Sequence, residues 1–199
     1  MKHLLLIRHA LPHEGHATEP IDPPLHADGH GHAGRLAQAL KYEGIDRIVC
    51  SPQRRARDTA APLVALLGLT PEIIEGIAEV DRFAGVPYRS ADTLRAQEPH
   101  RWPEFVESPA RFLGRDPVAY REAVIDALRG LIDDEQGRRI AVFSHGMTIK
   151  TMLGAILGMH TVRYGQFAIG HCSVSRLTGA SIDAMRIDSV NESLIDPRH

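Results

Sequence analysis

Only two cysteines, Cys50 and Cys172, occur in the 199 residues, and they lie far apart in the chain. They form no CxxC pair, so neither a zinc ribbon nor a dithiol redox motif is available. Cys50 ends an apolar run and reads as a small core residue. An excess of one charge sign is also missing. With 23 Lys and Arg against 25 Asp and Glu, the net charge is −2. No basic field is present to gather nucleic acid or an anionic membrane. Long apolar runs are absent as well. The N-terminal run Leu4-Leu5-Leu6-Ile7 stops at Arg8, too short for the core of a secretory signal, and no other run approaches a bilayer span. These absences lead to the expectation of a reduced, cytoplasmic chain with no nucleic-acid or membrane partner.

What is present is ordinary in bulk and unusual in one residue. A hydrophobic fraction of 43% with 24% charged residues suits a soluble globular protein, and 199 residues suit one domain, 1–199. Histidine is over-used: there are 12, and His13, His16, His26, His30 and His32 fall in one short stretch.

Apolar runs alternate with helical spacing along the chain. Residues 4–7, 48–50 and 140–143 are unbroken apolar segments, the mark of strands covered on both faces. Residues 72–74 are a further strand candidate. Between the first two runs lies a proline-rich loop, with Pro12, Pro20, Pro23 and Pro24. Ala33, Leu36, Ala37 and Leu40 then recur at helical spacing, with Asp28 placed as N-cap and Gly44 as C-terminal cap. Ala56, Ala60, Leu63 and Leu67 mark a second helix closed by Gly68, with a kink expected at Pro62. Asp116-Pro117 opens a third, carried by Val124, Ala127, Leu128 and Leu131, and Ile149, Met152, Leu153 and Ile156 stripe a fourth. Residues 173–178 and 182–187 read as a closing pair of strands. The alternation predicts an α/β fold, a three-layer sandwich with a mainly parallel central sheet flanked by helices. Residues 78–117 break the pattern, with prolines at 87, 99, 103 and 109, and read as an insertion or lid over the site.

Three of the buried strands run directly into polar residues: Arg8-His9, then Ser51-Pro52 with Arg55 one turn on, then Ser144-His145-Gly146. In a parallel sheet, ligands bind at the carboxyl edge, so two arginines and two histidines are expected to converge there. That set suits a phosphate. Arginine forks match its oxygens, and the start of the helix after His145 favours an anion. A neutral imidazole can attack phosphorus and carry the phosphoryl group, provided that a carboxylic acid protonates the leaving oxygen.

Arg8-His9-Ala10, Ser51-Pro52-Gln53-Arg54-Arg55-Ala56-Arg57-Asp58-Thr59-Ala60, Ser144-His145-Gly146 and Cys172-Ser173-Val174 together resemble the histidine phosphatase superfamily, the phosphoglycerate-mutase-like group. They look like its RHG, SPxxRAxxTA and SHG segments and the opening of its final strands, and the likeness runs from residue 4 to about 177. The resemblance implies that His9 is the nucleophile, that Arg8, Arg55 and His145 bind phosphate, and that Glu79 is the proton donor, with Glu75 and Asp81 as neighbouring candidates. It implies a metal-independent phosphatase of the histidine acid type, working without cofactor on a small phosphorylated substrate. Alanine replaces the usual glycine at position 10. Leu11-Pro12-His13 and Gly85-Val86-Pro87 depart from the family pattern, which places selectivity in residues 10–27 and 80–117. A phosphoglycerate-type mutase is the alternative with the same chemistry, and a non-catalytic phosphate-sensing module the alternative of another class. A homodimer is compatible with the sequence, which displays no exposed apolar stripe to assign one.

Three further patterns fall short of the context that their chemistry needs. Gly29-His30-Gly31-His32-Ala33-Gly34 matches GxGxxG but does not follow a buried strand. His13-Glu14-Gly15-His16 has metal-ligand types in a proline-rich loop but no HExxH spacing, so the histidines read as solvated or as contacts near the pocket mouth. Ser144 lacks the G-x-S-x-G elbow of a serine hydrolase.

Overall fold

In the computed structural model, which describes residues 1–195, the unbroken apolar run of strand β1 (Lys2–Arg8) is divided between two cores. Successive strand side chains point to opposite faces. Leu4 and Leu6 therefore pack with helices α6 (Pro117–Asp133) and α7 (Gly146–Ile156), through Val124, Leu128, Ile149 and Met152. Leu5 and Ile7 enter the other core, against α1 (Ala27–Leu40) and α2 (Arg54–Leu67), through Leu36, Leu40, Ala60 and Leu63. The result is three layers, helices on both faces of one sheet.

The sheet has six strands in the order β3-β2-β4-β1-β5-β6. Strands β1, β2 (Arg47–Cys50), β3 (Glu72–Ile73) and β4 (Arg139–Ser144) pair in parallel, while β5 (Ser173–Gly179) and β6 (Arg186–Ser193) add antiparallel strands beyond β1. Between β3 and α6 lie a 3-10 turn (Glu75–Ile77) and three short helices, α3 (Ala91–Gln97), α4 (Trp102–Glu107) and α5 (Pro109–Phe112). The expected α/β architecture with a mainly parallel sheet is what is found. No helix among the described residues is long and apolar enough to cross a membrane. The last four residues of the expected single domain, 196–199, lie outside the described residues.

Several boundaries differ from the sequence reading. The N-cap of α1 is His26, not Asp28: His26 is extended (φ −63°, ψ 160°) and its Nδ1 accepts from the Asp28 amide at 3.3 Å. Asp28 sits instead in the first turn, where a carboxylate faces the positive end of the helix dipole. Helix α1 ends at Leu40 with Lys41 as its C-cap, and Gly44, at φ +68°, serves the turn beyond it. Gly68 does cap α2, at φ 66° with its amide on the Val64 carbonyl at 2.9 Å, and α2 continues through Pro62 as one helix. Residues 182–184 form a 3-10 turn, because the Ser181 hydroxyl accepts from the Ala184 amide at 3.3 Å, and the last strand begins only at Arg186.

Candidate active site

Strand register decides which residues meet. Arg8 pairs with Ser144 across β1 and β4, and Cys50 with Phe143 across β2 and β4, so the three strands end level. Just past the ends, the His9 amide donates to the Ser144 carbonyl and the Ser51 amide to the Phe143 carbonyl, both at 2.9 Å. His9, Ser51 and His145 thus stand side by side on one edge. Helix α2 is fastened to this edge by Thr59, whose hydroxyl donates to the Arg55 carbonyl at 2.6 Å and accepts from the Ala10 amide at 2.9 Å. Ala10 is fully buried and is not among the positive-φ residues, so its Cβ is accommodated there.

His9 is 2% exposed, and its Nδ1 lies 2.8 Å from the Ala10 carbonyl. A carbonyl oxygen only accepts, so Nδ1 carries the ring proton and Nε2 keeps its lone pair. Burial, then Arg55, His145 and Arg8, push the His9 pKa well below the usual imidazole value, which keeps the ring neutral near neutral pH. Its ring is flanked by His145 and His171, with centroids 5.1 and 5.3 Å away.

Arg8 donates through Nη1 to the Ile169 carbonyl at 2.6 Å, and its buried Nε has no protein partner. Arg55 is fully buried; its Nη2 donates to both carboxylate oxygens of Asp81 at 2.9 Å, and its Nη1 is 3.7 Å from Asp22. Burial is the largest influence and opposes the charge of Arg55, but Asp81, Tyr88 and Glu79 together outweigh it and the pKa rises. Arg55 Nε and Nη1, His145 Nδ1 and His171 Nε2 join Arg8 Nε as buried nitrogens without a partner. Buried donors in proteins are ordinarily satisfied. This set, gathered around a neutral imidazole, matches the oxygens of a phosphoryl group.

The carboxylates near residue 79 fall into three environments. Glu75 is exposed, 3.6 Å from Arg82, and Asp81 holds Arg55. Glu79 alone is enclosed without a cation on its oxygens: Oε2 accepts from the Met147 amide at 2.9 Å, and Oε1 from the Val80 amide at 2.9 Å and Tyr120 OH at 3.3 Å. Burial first, and Asp81 second, raise its pKa; the two amide bonds and Arg55 pull the other way and are outweighed. Tyr120 is itself held neutral by burial and by Glu79, so it remains a donor.

A cleft of about 180 Å³ opens over these groups, lined by Arg8, His9, Arg55 and Glu79, with Lys150 and Phe105 among its outer residues. His145 is absent from the lining. Its ring lies beside that of His9, with Nε2 2.7 Å from Ser51 Oγ and Nδ1 without a protein partner. The wall opposite the strands comes from segment 78–117, through Asp81, Tyr88, Phe105 and Leu113. That segment is tied down by the proline-rich loop: Glu14 accepts from the Ser90 amide and the Thr93 hydroxyl at 3.0 Å each, and the Tyr88 amide donates to Pro20 at 2.7 Å.

The loop histidines do not enter the cleft. His13 packs edge-on against His16 and His26, at 5.2 and 5.7 Å. No group of three metal-ligating side chains occurs among the described residues. Arg54 pairs with Glu19 and Asp58. The sequence reading missed His171. It lies in the turn that opens antiparallel β5, and β5 begins where β1 ends; the Cys172 amide pins that turn to the Arg8 carbonyl at 3.1 Å. The buried Gln53 was also passed over as one of the variable positions of its motif.

Comparison with known proteins gives the family and the fold. The family model described as histidine phosphatase superfamily (branch 1) matches residues 4–192. Phosphoserine phosphatase 1 of Hydrogenobacter thermophilus is 27% identical over 186 residues, covering 88% of this chain and 85% of its own. A probable phosphoglycerate mutase of Serratia proteamaculans is 26% identical, covering 78% of this chain and 74% of its own. Among solved structures, a mycobacterial glucosyl-3-phosphoglycerate phosphatase complexed with VO3 superposes with a TM-score of 0.80 at 22% identity, over 97% of this chain and 100% of that one. The α-ribazole phosphatase of Shigella flexneri gives 0.75 at 22% identity, over 96% of each chain.

Proposed function

The chain belongs to the histidine phosphatase superfamily, and from that premise we propose that it hydrolyses a small phosphomonoester through a phosphohistidine on His9. One observation carries the reading: a buried imidazole whose Nδ1 faces a carbonyl, leaving Nε2 free, shares one cleft with two arginines and with a carboxyl of raised pKa. The Nε2 lone pair attacks phosphorus while the ester P–O bond breaks, and the Glu79 proton passes to the leaving oxygen. Water then attacks the phosphoryl group and gives its proton to the Glu79 carboxylate. The P–N bond breaks, phosphate departs, and His9 and Glu79 return to their starting forms. Arg8, Arg55 and His145 Nδ1 hold the equatorial oxygens, where charge builds up.

The arginines supply the positive charge that a metal would otherwise bring, so the reaction is read as metal-independent. Two buried free thiols, Cys50 and Cys172, suit the reducing cytoplasm. Segment 78–117 is read as the lid. It contributes the acid and one wall of the cleft, and so bears on selectivity. The relatives' names differ in substrate, so the shared phosphoryl pocket, and not any one leaving group, is what carries over.

The test is turnover of p-nitrophenyl phosphate in EDTA, with an alkaline quench to trap base-stable, acid-labile phosphate on the protein. Turnover and a trapped phosphate that both vanish in His9→Ala are expected, with the rate lower by about 10⁴-fold or more. Turnover abolished by EDTA would overturn metal independence, and an undiminished His9→Ala rate would overturn the nucleophile. A mutase, the reading suggested by some relatives' names, would instead return the phosphoryl group to an acceptor alcohol without releasing phosphate.

A further inference from the structure

Gln53 is 1% exposed and sits between the end of β2 and the start of α2, two residues before Arg55. A buried carboxamide must satisfy an acceptor at one end and a donor at the other. Here Oε1 accepts from the Glu79 amide at 2.6 Å, and Nε2 donates to Asp81 Oδ1 at 2.7 Å. The opposite flip of the amide would set donor against donor and acceptor against acceptor, so a single orientation fits. Asp81 is the carboxylate that holds Arg55 Nη2 at 2.9 Å. On the main-chain side, the Gln53 amide donates to Ser51 Oγ at 3.3 Å, and that oxygen contacts His145 Nε2 at 2.7 Å. One residue therefore touches the supports of the acid, of one phosphate-binding arginine and of the second histidine.

We infer that Gln53 is a positioning residue for proton donation: its carboxamide spans from the Glu79 backbone to Asp81 and so fixes the acid relative to the arginine that holds the phosphoryl group. The inference rests on the proposed phosphohydrolase reading. Glu79 lies in a turn with no strand to fix its backbone, between the 3-10 turn Glu75–Ile77 and α3. The Gln53 bond holds its amide directly. Without that bond, the Glu79 carboxyl keeps its chemistry but loses its fixed reach to the leaving oxygen. A displacement of that kind is costly where a proton must move in the transition state.

A residue that merely fills space would affect every substrate alike. A residue that places the acid should matter in proportion to how badly the leaving group needs a proton. The experiment measures kcat/KM, which reports the steps through transfer to His9, for p-nitrophenyl phosphate and for an alkyl phosphate such as β-glycerophosphate. Gln53→Leu keeps the volume and removes both hydrogen bonds. Gln53→Asn keeps the amide but is one methylene too short to span. In both variants the alkyl ester should lose about 10- to 100-fold and the nitrophenyl ester less than about threefold. In a Glu79→Gln background, adding Gln53→Leu should produce no further loss on the alkyl ester, since the two changes act on one proton transfer. Equal losses on both esters in folded variants, or losses that multiply with those of Glu79→Gln, would overturn the inference and leave the proposed function standing. If the unaltered protein hydrolyses neither ester, the proposed function fails and the inference with it. Gln53→Asn keeps the question answerable if Gln53→Leu does not fold.

Discussion

The guanidinium of Arg55, with no exposed surface of its own, holds both oxygens of the Asp81 carboxylate at 2.9 Å through a single nitrogen, Nη2. One arm is thereby committed to the protein, and Nε and Nη1 remain for a ligand. Removing the Asp81 charge leaves the buried Arg55 with only Asp22, 3.7 Å from Nη1, as a counter-charge, and the loss approaches the roughly 3–5 kcal/mol of a broken buried pair only as far as the partly exposed Asp81 is screened from water. Asp81→Asn is accordingly expected to lower the melting temperature markedly. Inorganic phosphate, as a replacement counter-ion for Arg55, should restore part of the loss and shift the variant more than the unaltered protein. Thermal melts with and without phosphate check this, and an unchanged melting temperature would show that the pair adds nothing.

Glu79 carries the second prediction. Its pKa is raised, so the protonated donor persists above the usual carboxyl range and is lost as pH rises through the shifted value. For an alkyl phosphate, kcat/KM should fall on that alkaline limb. Glu79→Gln cannot donate a proton to the leaving oxygen and return as a base. It should lower kcat/KM by about 10²–10⁴-fold and abolish the limb. A pH–rate profile of both proteins decides the point.

Acid stability follows from the buried imidazoles. His171 is held neutral down to about 3, chiefly by burial and then by Arg8, and His9 and His145 are also pushed well down. Below the ordinary imidazole value near 6.5, the unfolded chain takes up these protons and the folded chain does not. Stability is therefore present above that pH and lost as pH falls toward the folded values, by up to about 1.4 kcal/mol per pH unit for each such ring. His171→Asn should flatten the fall in melting temperature between neutrality and pH about 5 relative to the unaltered protein. An identical slope would mean that His171 is not held neutral.

Two glycines of the GxGxxG-like stretch should respond in opposite directions. A Cβ on Gly29 would stand 2.2 Å from the Leu11 carbonyl oxygen, whereas one on Gly34 meets nothing within 4 Å. Both lie in α1. Gly34→Ala should stabilise by about 0.5–1 kcal/mol through helix propensity. Gly29→Ala should destabilise by about 1–3 kcal/mol, because backbone must move to admit it. Denaturant titration of the two variants measures the contrast. It also accounts for Gly29 as the site where the proline-rich loop packs onto α1, not as part of a dinucleotide motif.

Much of the site was legible in the chain because strand ends are local events. An apolar run that stops at Arg8-His9, another at Ser51 and a third at Ser144-His145 identify the edge from the sequence, since a strand buried on both faces has to be apolar throughout. Length, period and punctuation likewise determined the α/β layers. Other features were beyond sequence reasoning, for identifiable causes. The choice of Glu79 over Glu75 and Asp81 depends on which carboxylate is enclosed and which already has a cation, and neither is a property of neighbouring residues. Placing His171 beside His9 required the antiparallel pairing of β5 with β1, a long-range register. Gln53 shows the division most clearly. Its position followed from the strand end before it, but its function as a tie between Glu79 and Asp81 exists only once a segment some 26 positions away has folded over it, because a carboxamide has no preferred partner until tertiary structure presents a donor and an acceptor to it.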